Sequence, residues 1–105
     1  MVLGCLSFSF AQGLQGKVAL SGQVAVKVTG HSATLTWNAS QGATSYNIYR
    51  GTASGGPYVK MFSGIVNTTY IDVQLTHNQT LYYVTTAVNG SGESGHSNEA
   101  VAVIP

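Results

Sequence analysis

Leu81–Asn89 reads LYYVTTAVN, and in it Leu81, Tyr83, Thr85 and Ala87 alternate with Tyr82, Val84, Thr86 and Val88. Side chains two apart share a face of a strand, and here both faces carry apolar groups. A strand apolar on both sides is covered on both sides, so this segment is predicted as the central strand of a sheet.

Working outward, the same period of two recurs in shorter pieces. Val24–Val28 alternates as a first strand. His31–Asn38, HSATLTWN, puts Ala33, Leu35 and Trp37 on one face and Ser32, Thr34 and Thr36 on the other. A polar break at Gln41–Ala43 precedes Ser45–Arg50, SYNIYR, where Tyr46 and Ile48 face one way and Asn47 and Tyr49 the other. Gly51–Pro57, GTASGGP, is a loop because Gly and Pro punctuate it densely. Tyr58–Phe62 and Thr68–Val73 are short strands, the second offering Tyr70 to the interior and Asp72 to solvent. Asn89–Gly95, NGSGESG, is predicted as turn, and Ser97–Ile104 as the closing strand. Seven short strands, turn chemistry between them and no helical period predict an all-β, antiparallel β-sandwich.

Composition agrees and narrows the functions available. A chain of 105 residues has room for one domain. Charged residues make up 7% of it, against about 25% in an ordinary soluble domain. Lys17, Lys27, Arg50 and Lys60 are scattered, so no clustered basic groove exists to track a phosphate backbone, and nucleic acid is not an expected partner. The single cysteine, Cys5, forbids an intrachain disulfide and a thiolate metal cluster. The fold must stand on packing, with large buried aromatics carrying much of it.

Met1–Ala11, MVLGCLSFSFA, is an uncharged apolar run too short for a membrane span, which needs about 20 residues. Ser9 and Ala11, small residues two apart before Gln12, suit a signal peptidase, and residues 1–22 read as a remnant secretory leader with linker. The basic start of such a leader is missing. A last strand of a preceding domain is the competing reading, and Val2–Cys5 faintly resembles a bacterial lipid-attachment site. Gly16–Gly22 reads as linker or an extra edge strand, and the domain as residues 23–105.

The order of pieces is itself a signature. LTW at 35–37, SYNIYR at 45–50, Leu75, YYVTTAVN at 82–89, GSGES at 90–94 and HSN at 96–98 before a final apolar strand resemble the fibronectin type III family, in particular its bacterial extracellular members. That resemblance implies a seven-stranded immunoglobulin-like β-sandwich, a secreted or cell-surface location, a monomer, and a module that binds or spaces without catalysis. It implies a core centred on Trp37, Tyr46, Ile48, Leu81, Tyr83 and Ala87, with Leu75 ahead of the sixth strand and Thr85 lining the interior. One position departs. Where the family carries a corner tyrosine whose hydroxyl bonds back to the backbone, this chain has Leu81, so the corner is held by packing alone or by a shift that recruits Tyr82. The Arg-Gly-Asp of some relatives is absent, since Thr52 follows Arg50 and Gly51.

Catalytic and metal chemistry finds little purchase. His31, His77 and His96 are far apart in sequence and read as solvent-facing turn or strand-end residues; a metal site would need them brought together. Asp72, Glu93 and Glu99 could form an acid pair for glycoside hydrolysis, but so small a sandwich has no cleft for a sugar. No nucleophile elbow surrounds a serine, and the glycines of 51–56 lack the lysine and helix of a phosphate loop. No enzyme, cofactor or metal is expected. Asn38, Asn67, Asn78 and Asn89 begin Asn-X-Ser/Thr sequences, glycan acceptors in a eukaryotic secretory route but common by chance in a Ser- and Thr-rich chain.

The candidate interaction surface is the outer face of the sheet containing the third, sixth and seventh strands. Tyr49 falls there beside Tyr82, Val84 and Thr86, rings and hydroxyls able to stack on a sugar or anchor a protein. The alternative is that Tyr and Thr favour strands whatever they touch, and that cross-strand pairs stabilise a sheet without a ligand. The expected function is accordingly a spacer or protein-interaction module, with a carbohydrate-contacting accessory domain of a secreted hydrolase or adhesin as the second reading.

Overall fold

The computed structural model describes residues 24–105; residues 1–22, read above as a remnant leader with linker, and Cys5 among them, lie outside the described residues. Eight strands follow in chain order: β1 Val24–Thr29, β2 Ser32–Trp37, β3 Ser45–Gly51, β4 Val59–Ile65, β5 Thr69–Asp72, β6 Gln79–Asn89, β7 Gly92–Glu93 and β8 Ala100–Ile104. Seven of them are the segments that alternation marks out. The eighth, β7, is a two-residue strand inside the predicted turn, where Glu93 pairs with Val88 and Gly92 with Asn89. Asn89 closes that hairpin by accepting the Ser91 N–H at its Oδ1, 2.8 Å, the local bond that favours Asn at turns.

Two antiparallel sheets result, one ordered β1-β2-β5, the other β4-β3-β6-β7 with β8 also paired to β6. β6 is thus central, as its two apolar faces require. Between the sheets lie Trp37, Tyr46, Ile48, Leu81, Tyr83 and Ala87, all buried, together with Val24, Leu35, Leu75 and Ile104. Full burial of a leucine or isoleucine contributes about 1.5–3 kcal/mol, and Leu35, Ile48, Leu81 and Ile104 are each covered almost completely. Trp37 meets Tyr46 edge-on at 5.6 Å between centroids, and the Tyr46 hydroxyl accepts the Ser40 N–H at 2.9 Å. At Leu81 packing replaces the corner hydrogen bond. β6 keeps continuous register with β3 and β8 through this region, so Tyr82 stays on the outer face opposite Val101.

One sequence expectation is overturned here. Asp72 does not face solvent; it is 4% exposed. Tyr70 and Asp72 are two apart and must share a face, so Asp72 follows Tyr70 inward. A buried carboxylate needs donors, and it has two: Arg50 Nη1 at 2.7 Å and the Tyr83 hydroxyl at 2.7 Å, both on Oδ2. The three residues bolt β5 of one sheet to β3 and β6 of the other. Burial first, then the bond to Asp72, pushes the Tyr83 hydroxyl pKa up, which keeps it a neutral donor.

Two serines shape the segment between β7 and β8. Ser94 and Ser97 give their N–H groups to the carbonyls of Ala87 and Thr85, at 2.8 and 2.9 Å. Their hydroxyls accept the N–H groups of those same two residues, each at 2.9 Å. Side chains here do what a strand's carbonyls would do, and the intervening Gly95 and His96 are left exposed. Asn98 then ties in β1, accepting the Val24 N–H at 2.9 Å and donating to the Val24 carbonyl at 3.0 Å.

Candidate functional site

Strand register brings the four predicted surface residues onto one face. Tyr49 pairs with Val84, Asn47 with Thr86 and Gly51 with Tyr82. Their exposure is unequal: Tyr49 and Tyr82 are half-buried, whereas Val84 is 2% and Thr86 1% exposed. Part of this outer face is roofed, because the serine clamp carries Glu93 and His96 beside it.

The roof is a carboxylate with three side-chain donors. Glu93 Oε2 accepts from the Tyr49 hydroxyl at 2.5 Å, Thr86 Oγ1 at 2.6 Å and Asn47 Nδ2 at 3.0 Å. Burial alone would raise the Glu93 pKa; the bonds from Thr86, Tyr49 and Asn47 and the charge of Lys60 outweigh it and hold the carboxyl at about 2. Tyr49 moves the opposite way, up to about 12, through burial and then the bond to Glu93. Its ring is flanked by His96, 5.2 Å between centroids, and by the Lys60 ammonium at 5.9 Å. Such flanking leaves Tyr49 poorly placed as an open stacking platform.

A second carboxylate organises the neighbouring loop. Glu99 accepts from Ser54 Oγ at 2.8 Å, from the Gly55 N–H at 2.8 Å and from the Tyr58 hydroxyl. The same opposition holds: desolvation works against the carboxylate, but Tyr58, Gly55 and Ser54 lower its pKa, while burial and Glu99 lift Tyr58 to about 12. His96 stands between the two tyrosines, 5.5 Å from Tyr58 and edge-on to it. The loop needs its glycine at the end of β3: a Cβ on Gly51 would come within 2.5 Å of the Pro57 carbonyl oxygen.

Chemically, these are ionised acceptors matched to neutral donors. General acid–base work wants a group titrating near the operating pH, and Glu93 and the two tyrosines are displaced away from neutrality. Glu93 and Glu99 each serve a tyrosine of their own. Of the three histidines, His31 and His77 come together, with ring centroids 6.3 Å apart. Among the described residues no group of three or more His, Cys, Asp and Glu is arranged to hold a metal, and no helix is long and apolar enough to cross a membrane.

Tyr82 offers the more open part of the face. It lies opposite Val101, 45% exposed, and Val103 follows on the same side of β8 at 64%. Sequence reasoning overlooked Asn47, Tyr58, Glu93 and His96 as members of this surface. Parity alone placed Asn47 with Tyr49; the others could be found only through pairings many residues away.

No family model matches the chain. A 69-residue stretch is 45% identical to part of the amylopullulanase of Thermoanaerobacterium thermosulfurigenes, covering 65% of this chain and 4% of that protein. The chain therefore spans only a small fraction of that curated relative's length. Among solved structures, an Fn3-like protein from Clostridium thermocellum is 38% identical, with a TM-score of 0.70 over 86% of this chain and 93% of the other. The β-1,2-glucanase of Parabacteroides distasonis shares the fold, with a TM-score of 0.74 at 21% identity over 85% of this chain and 13% of that one.

Proposed function

This chain belongs to the fibronectin type III-like family, and from that premise we propose that it is a non-catalytic extracellular module acting as a spacer or protein-interaction domain. One observation carries the reading: a stretch of 69 residues, 65% of this chain, is 45% identical to a segment that makes up 4% of an amylopullulanase, the relation of an accessory domain to a large enzyme. The internal chemistry supports it. The carboxylates that could have formed an acid pair are engaged with tyrosines, and the carboxylate of the interior is engaged with Arg50 and Tyr83.

A second reading is contact with a polysaccharide, favoured by Tyr82 beside the exposed valines of β8. An aromatic ring next to apolar area is the kind of surface on which a sugar face stacks. Native gel electrophoresis of the chain through pullulan, amylopectin and β-1,2-glucan separates the two. The spacer or protein-interaction reading expects unchanged mobility in each and no release of reducing sugar. Retardation that Tyr82→Ser abolishes would replace it with the carbohydrate reading, and sugar release would overturn both.

A further inference from the structure

We propose that His31 and His77 form a two-histidine chelate for a late first-row divalent metal ion, with Cu2+ bound most tightly. The two residues come from separate connections, His31 from the β1–β2 turn and His77 from the β5–β6 loop. Folding brings their rings to 6.3 Å between centroids, tilted by 38°. With metal–nitrogen bonds of about 2.0–2.1 Å, two imidazoles on one ion have centroids roughly 4.5 Å apart at a right angle and about 5.2 Å apart at the tetrahedral angle. Rotation of the side chains closes that difference, and both histidines are exposed and free to make it.

A chelate also needs donors whose backbones stay in place. The β1–β2 turn and the β5–β6 loop are joined directly, since the Leu75 N–H donates to the His31 carbonyl at 2.9 Å. Leu75 is buried in the core, which pins the start of the loop. Its other end is held where the Asn78 N–H meets the Pro105 carbonyl at 3.3 Å. His77 therefore sits on a short segment fastened on both sides, beside a turn fastened to the same segment. Holding the second donor near the first turns its binding into an intramolecular event. Imidazole nitrogen suits Cu2+, Ni2+ and Zn2+, and affinity rises toward Cu2+ among these ions; water completes the coordination.

The test is a titration of the full chain with Cu2+ alone, carried in the Cys5→Ser background so that no thiol competes. In 1H–15N spectra, sub-stoichiometric Cu2+ should broaden amides around His31 and His77 together. His77→Ala should remove the broadening at His31, and His31→Ala that at His77, while His96→Ala leaves both. Calorimetry should show affinity falling by roughly tenfold to a hundredfold in either single variant. Broadening at one histidine only, or affinity unchanged in His77→Ala, overturns the proposal. The unperturbed spectra of the variants in metal-free buffer report that each remains folded.

Discussion

Asp72 and Glu93 both accept hydrogen bonds from a tyrosine hydroxyl, yet they work on opposite sides of the sheet containing β3 and β6. Asp72 reaches from β5 across the interior to Tyr83 and Arg50; Glu93 lies on the outer face with Tyr49, Thr86 and Asn47. Inside, the carboxylate has few donors and one of them is a cation, because a buried charge needs a counter-charge. Outside, three neutral side-chain donors and a more distant lysine suffice, because the group keeps part of its water. The interior acid joins two sheets, and the outer one fastens a short hairpin to a sheet already formed. Similar chemistry therefore carries unequal weight.

The largest expected effect tests the interior member. Asp72→Ala leaves the Tyr83 hydroxyl and part of the Arg50 guanidinium unpaired, and should cost about 3–5 kcal/mol in urea unfolding at neutral pH. A loss below about 1 kcal/mol would mean that the interior pair behaves like a surface one. Tyr83→Phe keeps the ring and the ion pair, so it should cost about 1–2 kcal/mol in the same measurement. Glu93→Gln should be milder, about 1 kcal/mol, since the amide oxygen can still accept and water can reach the rest.

Acid sharpens the contrast at the outer site. Glu93 titrates at about 2 in the folded chain against an ordinary value of 4.5. The folded form thus binds fewer protons between those values, and the stability Glu93 supplies is complete above 4.5 and lost as pH falls toward 2. The slope of unfolding free energy against pH across that window should be shallower in Glu93→Gln than in the parent. At the basic end Tyr49 is displaced from 10.0 to about 12, so its contribution is present below 10.0 and lost as pH rises through about 12. Tyr49→Phe should flatten that limb. Smallest of all, Tyr82→Ser should change stability by about 0.5 kcal/mol or less, as surface substitutions away from caps and networks do. A larger loss would show that Tyr82 contributes packing on the outer face.

Strand positions and their parity were legible because alternation is a local property. Trp37, Tyr46, Ile48, Leu81, Tyr83 and Ala87 could be assigned to the interior from period two and family order, and all six are there. Asp72 was misread although the same parity applied to it, because carboxylates ordinarily face water and its compensating donors stand 11 and 22 residues away. On the outer face Tyr49, Tyr82, Val84 and Thr86 were correctly grouped by parity. The engagement of Tyr49 and Thr86 by Glu93 was not legible, since Glu93 lies 44 residues from Tyr49 in a segment whose path depends on two serine hydroxyls.

The amino-acid sequence by itself determined an all-β chain, a doubly covered central strand, a core around Trp37 and a leucine in the corner position. The first three follow from side-chain type and a period of two, which each strand carries within itself; the corner position follows from the family resemblance. Tertiary structure alone decided which carboxylates would be buried or roofed, how open each tyrosine of the outer face would be, and that His31 would meet His77. Such pairings depend on register between distant strands and on where loops are tied down, and no local pattern encodes a partner in another connection.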